Sequence, residues 1–101
     1  MNAELYVKKA TMQAAKGEFE KAAESMNMAL ETGEDMAAMA QAHCFLGEYY
    51  FVNQKYEPSK EHLEWIYDRT EDLESEFDDL LNDEILTAEL LLDMMDRFLL
   101  E

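Results

Sequence analysis

"LGEYYFVNQKY", residues 46–56, reads as a helix that stops and starts again. Gly47 sits inside an apolar stretch, with Tyr50 three residues on and Tyr56 beyond Asn53 and Gln54. A glycine inside a helix costs about 1 kcal/mol relative to alanine, so it calls for a packing reason. The reason read here is the absent side chain, which lets a second helix lie close against the first. Asn53 then permits the reversal, and Tyr56 plugs the inside of the turn.

Residues 3–16 carry Leu5, Tyr6, Ala10 and Ala14 near one face and end at Gly17. Residues 19–31 place Phe19, Ala22, Ala23, Met26, Ala29 and Leu30 at helical spacing, closed by Gly33, which suits a left-handed cap. A third helix is expected over about 35–52 and a fourth over about 57–69, with Pro58 in the first turn, where its missing N–H is tolerated. Residues 71–101 read as two helices joined near residue 82, with one long helix as the alternative; Asn82 or Asp83 could cap the last, which runs to about 100, and Leu73, Phe77, Leu80 and Leu81 share one stripe. The chain is therefore expected to be all-α, with six helices in one domain.

Shifting the chain on itself by 37 residues aligns the first four helices. Ala10 falls on Gly47, Phe19 on Tyr56, Ala22 on Ser59, Met26 on Leu63 and Leu30 on Tyr67. A helix pair recurring at this period is the signature of an α-solenoid.

Over residues 3–70 the pattern resembles the tetratricopeptide repeat. His43, Leu46, Gly47, Tyr50, Ser59 and Leu63 stand at its positions in one copy, and Tyr6, Lys9, Ala10, Gln13, Ala22 and Met26 in the other. The resemblance implies a right-handed stack of antiparallel helix hairpins. Repeat one spans about 3–34, repeat two about 40–70, and acidic capping helices about 71–101. Phe19 and Tyr56 would plug the two turns, and Gly17 and Asn53 would permit the reversals. Lys9 and Gln13 depart from the apolar pattern, Glu34 and Glu71 replace the usual prolines, and "ETGEDMA" lengthens the link between copies.

Twenty-four acidic residues against eight basic ones give a net charge of −16. Twelve of the acids fall in residues 71–101, where Arg97 is the lone cation. Such a field repels phosphates and anionic lipid, so neither nucleic acid nor a membrane surface is an expected partner. The most apolar segment, "LLLDMMDRFLL", is about half a membrane span and holds three charges. A lone Cys44 and an N-terminus without a basic-then-apolar pattern fit a reduced, cytoplasmic protein.

Catalytic chemistry finds little support. His43 and Cys44 are adjacent and diverge by about 100° on a helix, so they do not form a nucleophile pair. Neither His43 nor His62 has a metal-binding side chain three or four residues away. His43 is expected to fill the wedge position in the hairpin and His62 to face solvent. The run from Asp68 to Asp79 has calcium-loop spacing, but Leu73 stands where that loop needs glycine. No catalytic, cofactor or metal residue is assigned, and the chain is read as a non-enzyme without cofactors. Met26, Met36 and Met39 read as core filler.

The tetratricopeptide resemblance places the concave surface on the first helix of each repeat. The candidate partner-binding groove is Val7, Thr11, Gln41, Cys44, Glu48, Phe51 and Val52. Val7, Thr11 and Phe45 stand where the carboxylate-gripping members of the family use Lys and Asn, so a peptide C-terminus is not the expected ligand. An apolar floor with acidic edges suits a basic, amphipathic helix or strand. Phe51 is expected on the groove wall, dispensable for folding; the alternative is that it packs under the C-terminal helix folded back into the groove. Leu91, Met95 and Phe98 are the candidate contact for a homodimer through the last helix, which is apolar around more than half its girth. The expected function is a small interaction adaptor. The alternative is a dedicated chaperone similar to the small tetratricopeptide chaperones of bacterial secretion systems.

Overall fold

The computed structural model describes residues 1–101 and contains six helices and no strand. They are α1 (Ala3–Ala15), α2 (Phe19–Thr32), α3 (Met36–Val52), α4 (Tyr56–Asp68), α5 (Thr70–Phe77) and α6 (Asn82–Arg97). Each start and stop has a local cause. The Asn2 side chain accepts from the Leu5 N–H at 2.9 Å and caps α1. Gly17 and Gly33 both take positive φ, which ends α1 and α2. Asp35 accepts from the Ala38 N–H at 3.1 Å and opens α3. In the α3–α4 turn the left-handed residue is Gln54 (φ 61°), not Asn53. Asn53 keeps an ordinary φ, and its side-chain amide donates to the Tyr49 carbonyl at 2.7 Å.

Helices α1 and α2 form one antiparallel hairpin and α3 and α4 a second. α2 packs on α3, and α6 lies against α4 and α3. Helix α3 is shared by two cores. One gathers Val7, Met26 and Leu46 among seven alanines, from α1, α2 and α3. The other joins α3 to the last three helices through Leu63, Ile66, Leu73, Leu81, Ile85 and Met95.

Gly47 is where the second hairpin closes. A Cβ built there would stand 2.6 Å from Cγ of the fully buried Leu63. The Ser59 hydroxyl donates to the Gly47 carbonyl at 2.7 Å, so the close approach is hydrogen-bonded as well as packed. Buried Ala10 and Ala22 occupy the matching places in the first hairpin. Gln13, polar where the pattern wants an apolar residue, accepts from the Ser25 hydroxyl at 2.7 Å.

Several expectations are corrected. Phe19 does not plug its turn and is 54% exposed, whereas Tyr56 is half-buried with its ring edge-on to Phe51. Leu80 leaves the stripe of Leu73 and Leu81 because α5 ends at Phe77 and Asp78 turns the chain with a φ of 51°. No side chain caps α6; Asn82 instead donates to the Asp79 carboxylate at 3.4 Å. Met26 is core, but Met36 is exposed. No helix is long and apolar enough to cross a membrane.

Candidate functional site

Helices α1 and α3 run side by side with few direct contacts, and the space between them is a groove. Val7 and Thr11 are one turn apart on α1; Gln41, Cys44 and Glu48 recur at three- and four-residue spacing on α3. These five residues line one continuous depression. Its wider end, about 620 Å³, is bounded by Glu4, Met12, Asp35 and Ala38 together with Val7, Thr11 and Gln41. The narrower part, about 230 Å³, keeps Val7, Thr11 and Gln41 and adds Met26, Cys44, Phe45, Glu48 and Glu84. Glu84 reaches in from α6, so the capping helix supplies one edge. Phe45 and Glu48 continue into a further depression of about 650 Å³ that Phe19 and Val52 flank.

The floor is apolar and the edges are acidic. Lys8 is ion-paired with Glu4 at 3.3 Å, which leaves Asp35, Glu48 and Glu84 as uncompensated charges along the groove. Although its side chain reaches solvent, partial burial pushes the Glu48 carboxyl up from its ordinary pKa. The Cys44 hydrogen bond opposes that shift, and the nearby Glu84 charge adds to it. Cys44 donates its thiol to the Glu48 carboxylate at 3.5 Å. Burial first, and then the Glu48 and Glu84 charges, push that thiol far above its ordinary pKa. It is a poor nucleophile where it stands.

The remaining candidates do not all join this surface. Val52 is 74% exposed at the far end of the groove. Phe51 is turned away from it, half-buried against the second core with its ring 5.7 Å from Tyr56. That corrects its placement on the groove wall. Met95 is wholly buried and Leu91 packs against the second core, so neither is available as an oligomer contact; only Phe98 of that trio is exposed.

A second cluster lies across the α3–α4 hairpin. His43 and His62 face each other through their Nδ1 atoms at 3.0 Å. Trp65 stacks on His43 at 4.4 Å, Tyr50 on His62 at 5.8 Å, and the Arg69 guanidinium covers Trp65 at 4.4 Å. His62 is therefore half-buried and paired, not solvent-facing. The hairpin register carried the signal: Gly47 opposite Ser59 sets residue 43 opposite 62. No group of three or more His, Cys, Asp or Glu side chains is placed to hold a metal ion. No protein-family model, curated protein or solved structure matches the chain.

Proposed function

We propose that this chain is a non-catalytic protein-interaction module, a tetratricopeptide-like adaptor whose α1–α3 groove takes a basic, amphipathic segment of a partner protein. The observation that carries the reading is the convergence of Val7, Thr11, Gln41, Cys44 and Glu48 on one apolar-floored, acid-edged groove. Apolar side chains of the partner would cover exposed Met12 and half-buried Phe45, and its cations would meet Asp35, Glu48 and Glu84. The family reading is supported by small residues at equivalent hairpin contacts, Ala10 with Ala22 and Gly47 with Ser59. A reducing, cytoplasmic setting suits the single buried thiol.

The test uses two helical peptides with the same leucine stripe, one carrying lysines and one glutamates. Amide shifts on titration should concentrate at residues 7, 11, 41, 44 and 48 and appear for the lysine peptide alone. Glu48→Lys with Glu84→Lys should weaken binding about ten-fold or more. Equal binding of both peptides, or shifts confined to other faces, would overturn the proposal. Phe19 and Val52, exposed at the groove's end, favour the chaperone as the second reading. Under it the chain would suppress aggregation of a single apolar client and bind short peptides weakly.

A further inference from the structure

The last helix buries one side and leaves the other bare. Ile85, Ala88 and Met95 are buried, whereas Leu86 and Leu90 are 61% and 58% exposed. Met94, one turn further on, is half-buried. Asp83 and Arg97 bracket these residues, and Arg97 is the one cation in residues 71–101. The series 83, 86, 90, 94 and 97 advances by threes and fours, so it follows one face of the helix. Glu84 belongs to the groove, on the other side of the same helix.

This face is symmetric about Leu90. Leu86 and Met94 each lie four residues from it, and Asp83 and Arg97 each lie seven. Seven residues are nearly two turns, about 10 Å along the axis, so the two charges return to the face that holds Leu90. We propose that this face pairs with a second copy of the chain, with the two α6 helices antiparallel about a two-fold axis through Leu90. Leu90 then meets the partner's Leu90, and Leu86 covers the partner's Met94. Asp83 meets the partner's Arg97 twice over, as an isologous interface requires.

The placement of charge selects a second copy. Parallel pairing would set Asp83 against Asp83 and Asp93 against Asp93; antiparallel pairing brings the one cation to a carboxylate at both ends. Arg97 holds Asp93 at 3.2 Å on its own helix and lies 5.1 Å from the Phe98 ring centre, and its side chain stays 60% exposed. Exposed Glu89 and Asp93 flank Leu90 and oppose the pairing at close range, whereas repulsion between the rest of the two chains is screened beyond about 8 Å at physiological salt. The pairing is independent of the groove reading.

Sedimentation equilibrium of the full chain at physiological salt tests it, across low to high micromolar concentration. The expected result is a reversible dimer. Leu86→Glu with Leu90→Glu should give a monomer with the wild-type circular dichroism spectrum, since both positions are exposed in the single chain, and a melting temperature that no longer rises with protein concentration. Asp83→Arg alone or Arg97→Glu alone should weaken the dimer about ten-fold, and the two together should restore most of the loss. A chain that stays monomeric at the highest concentration overturns the proposal and leaves the face to a different protein. A dimer that survives the double leucine change, or a charge exchange that fails to restore association, overturns it too.

Discussion

His43 and His62 stand with their Nδ1 atoms 3.0 Å apart, a separation at which one imidazole donates its proton to the other. Both rings cannot carry a proton on those atoms and keep this geometry. Burial, then the neighbouring His62 and the Arg69 charge, hold the pKa of His43 down to about 4. Burial also lowers that of His62, with Glu61 pulling the other way. In the unfolded chain both groups titrate near 6.5. The folded state therefore binds fewer protons below that pH, and stability falls as pH drops from about 6.5 toward 4. The slope is bounded by about 1.4 kcal/mol per pH unit for each proton and is smaller here, because the pair is half-exposed and screened. His43→Phe should lose less stability than wild type over the same interval, measured by thermal melts. Parallel curves for the two proteins would refute the assignment.

Gly47 and Leu63 make a second test. Gly47→Ala gains about 1 kcal/mol in helix propensity but forces Leu63 Cγ away from a site 2.6 Å distant, at a cost of roughly 1–3 kcal/mol. The expected outcome is a lower urea midpoint with an unchanged slope. Adding Leu63→Val should do less harm in the Gly47→Ala background than in wild type, because the residues are coupled.

Phe51 and Val52 are neighbours in sequence with opposite roles. Phe51→Ala removes a half-buried ring from the second core and from Tyr56, so it should lower stability by about 2 kcal/mol. Val52→Ala, at a side chain 74% exposed, should leave the melting temperature within a degree or two of wild type. Reversal of that order would place Phe51 back on the groove wall.

Cys44 reports on the groove. Its buried thiol, held protonated beside Glu48 and Glu84, should react with a disulfide reagent at neutral pH at least about ten-fold more slowly than in urea. Glu48→Gln removes one of the two charges and should speed the reaction. A groove-bound peptide should slow it further.

The helices were legible because strong helix formers run between well-placed turn residues, Gly17 and Gly33 above all. Gly47 was legible because a glycine within an apolar helix weakens that helix unless a neighbour needs the space its side chain would fill. The outcome for Phe19, Phe51 and Met95 was not. A position in a repeat says where a residue lies on its own helix, but not which later segment covers it. Helix α6 has leucine or methionine on most sides, so its sequence does not choose a buried face. Packing against α4 and α3 makes that choice and turns Met95 inward and Leu90 out. The imidazole pair was hidden for the same reason, since 19 residues separate its members and only the hairpin register joins them.

The alanines of the first core have a kinetic corollary. Ala3, Ala10, Ala22, Ala23 and Ala29 let α1 and α2 lie close, yet each buries little more than a methyl group, worth about 0.8 kcal/mol. The second core is built largely from Leu, Ile and Met. The α1–α2 hairpin should therefore detach from α3 at lower free energy than global unfolding, as a separate cooperative unit. Its amides should exchange with deuterium ahead of those in α4 and in the buried turns of α6. One wall of the groove belongs to this looser half. A segment bound across α1 and α3 would clamp the two halves together, and its arrival would be read as slowed exchange throughout α2, a helix most of which it never touches.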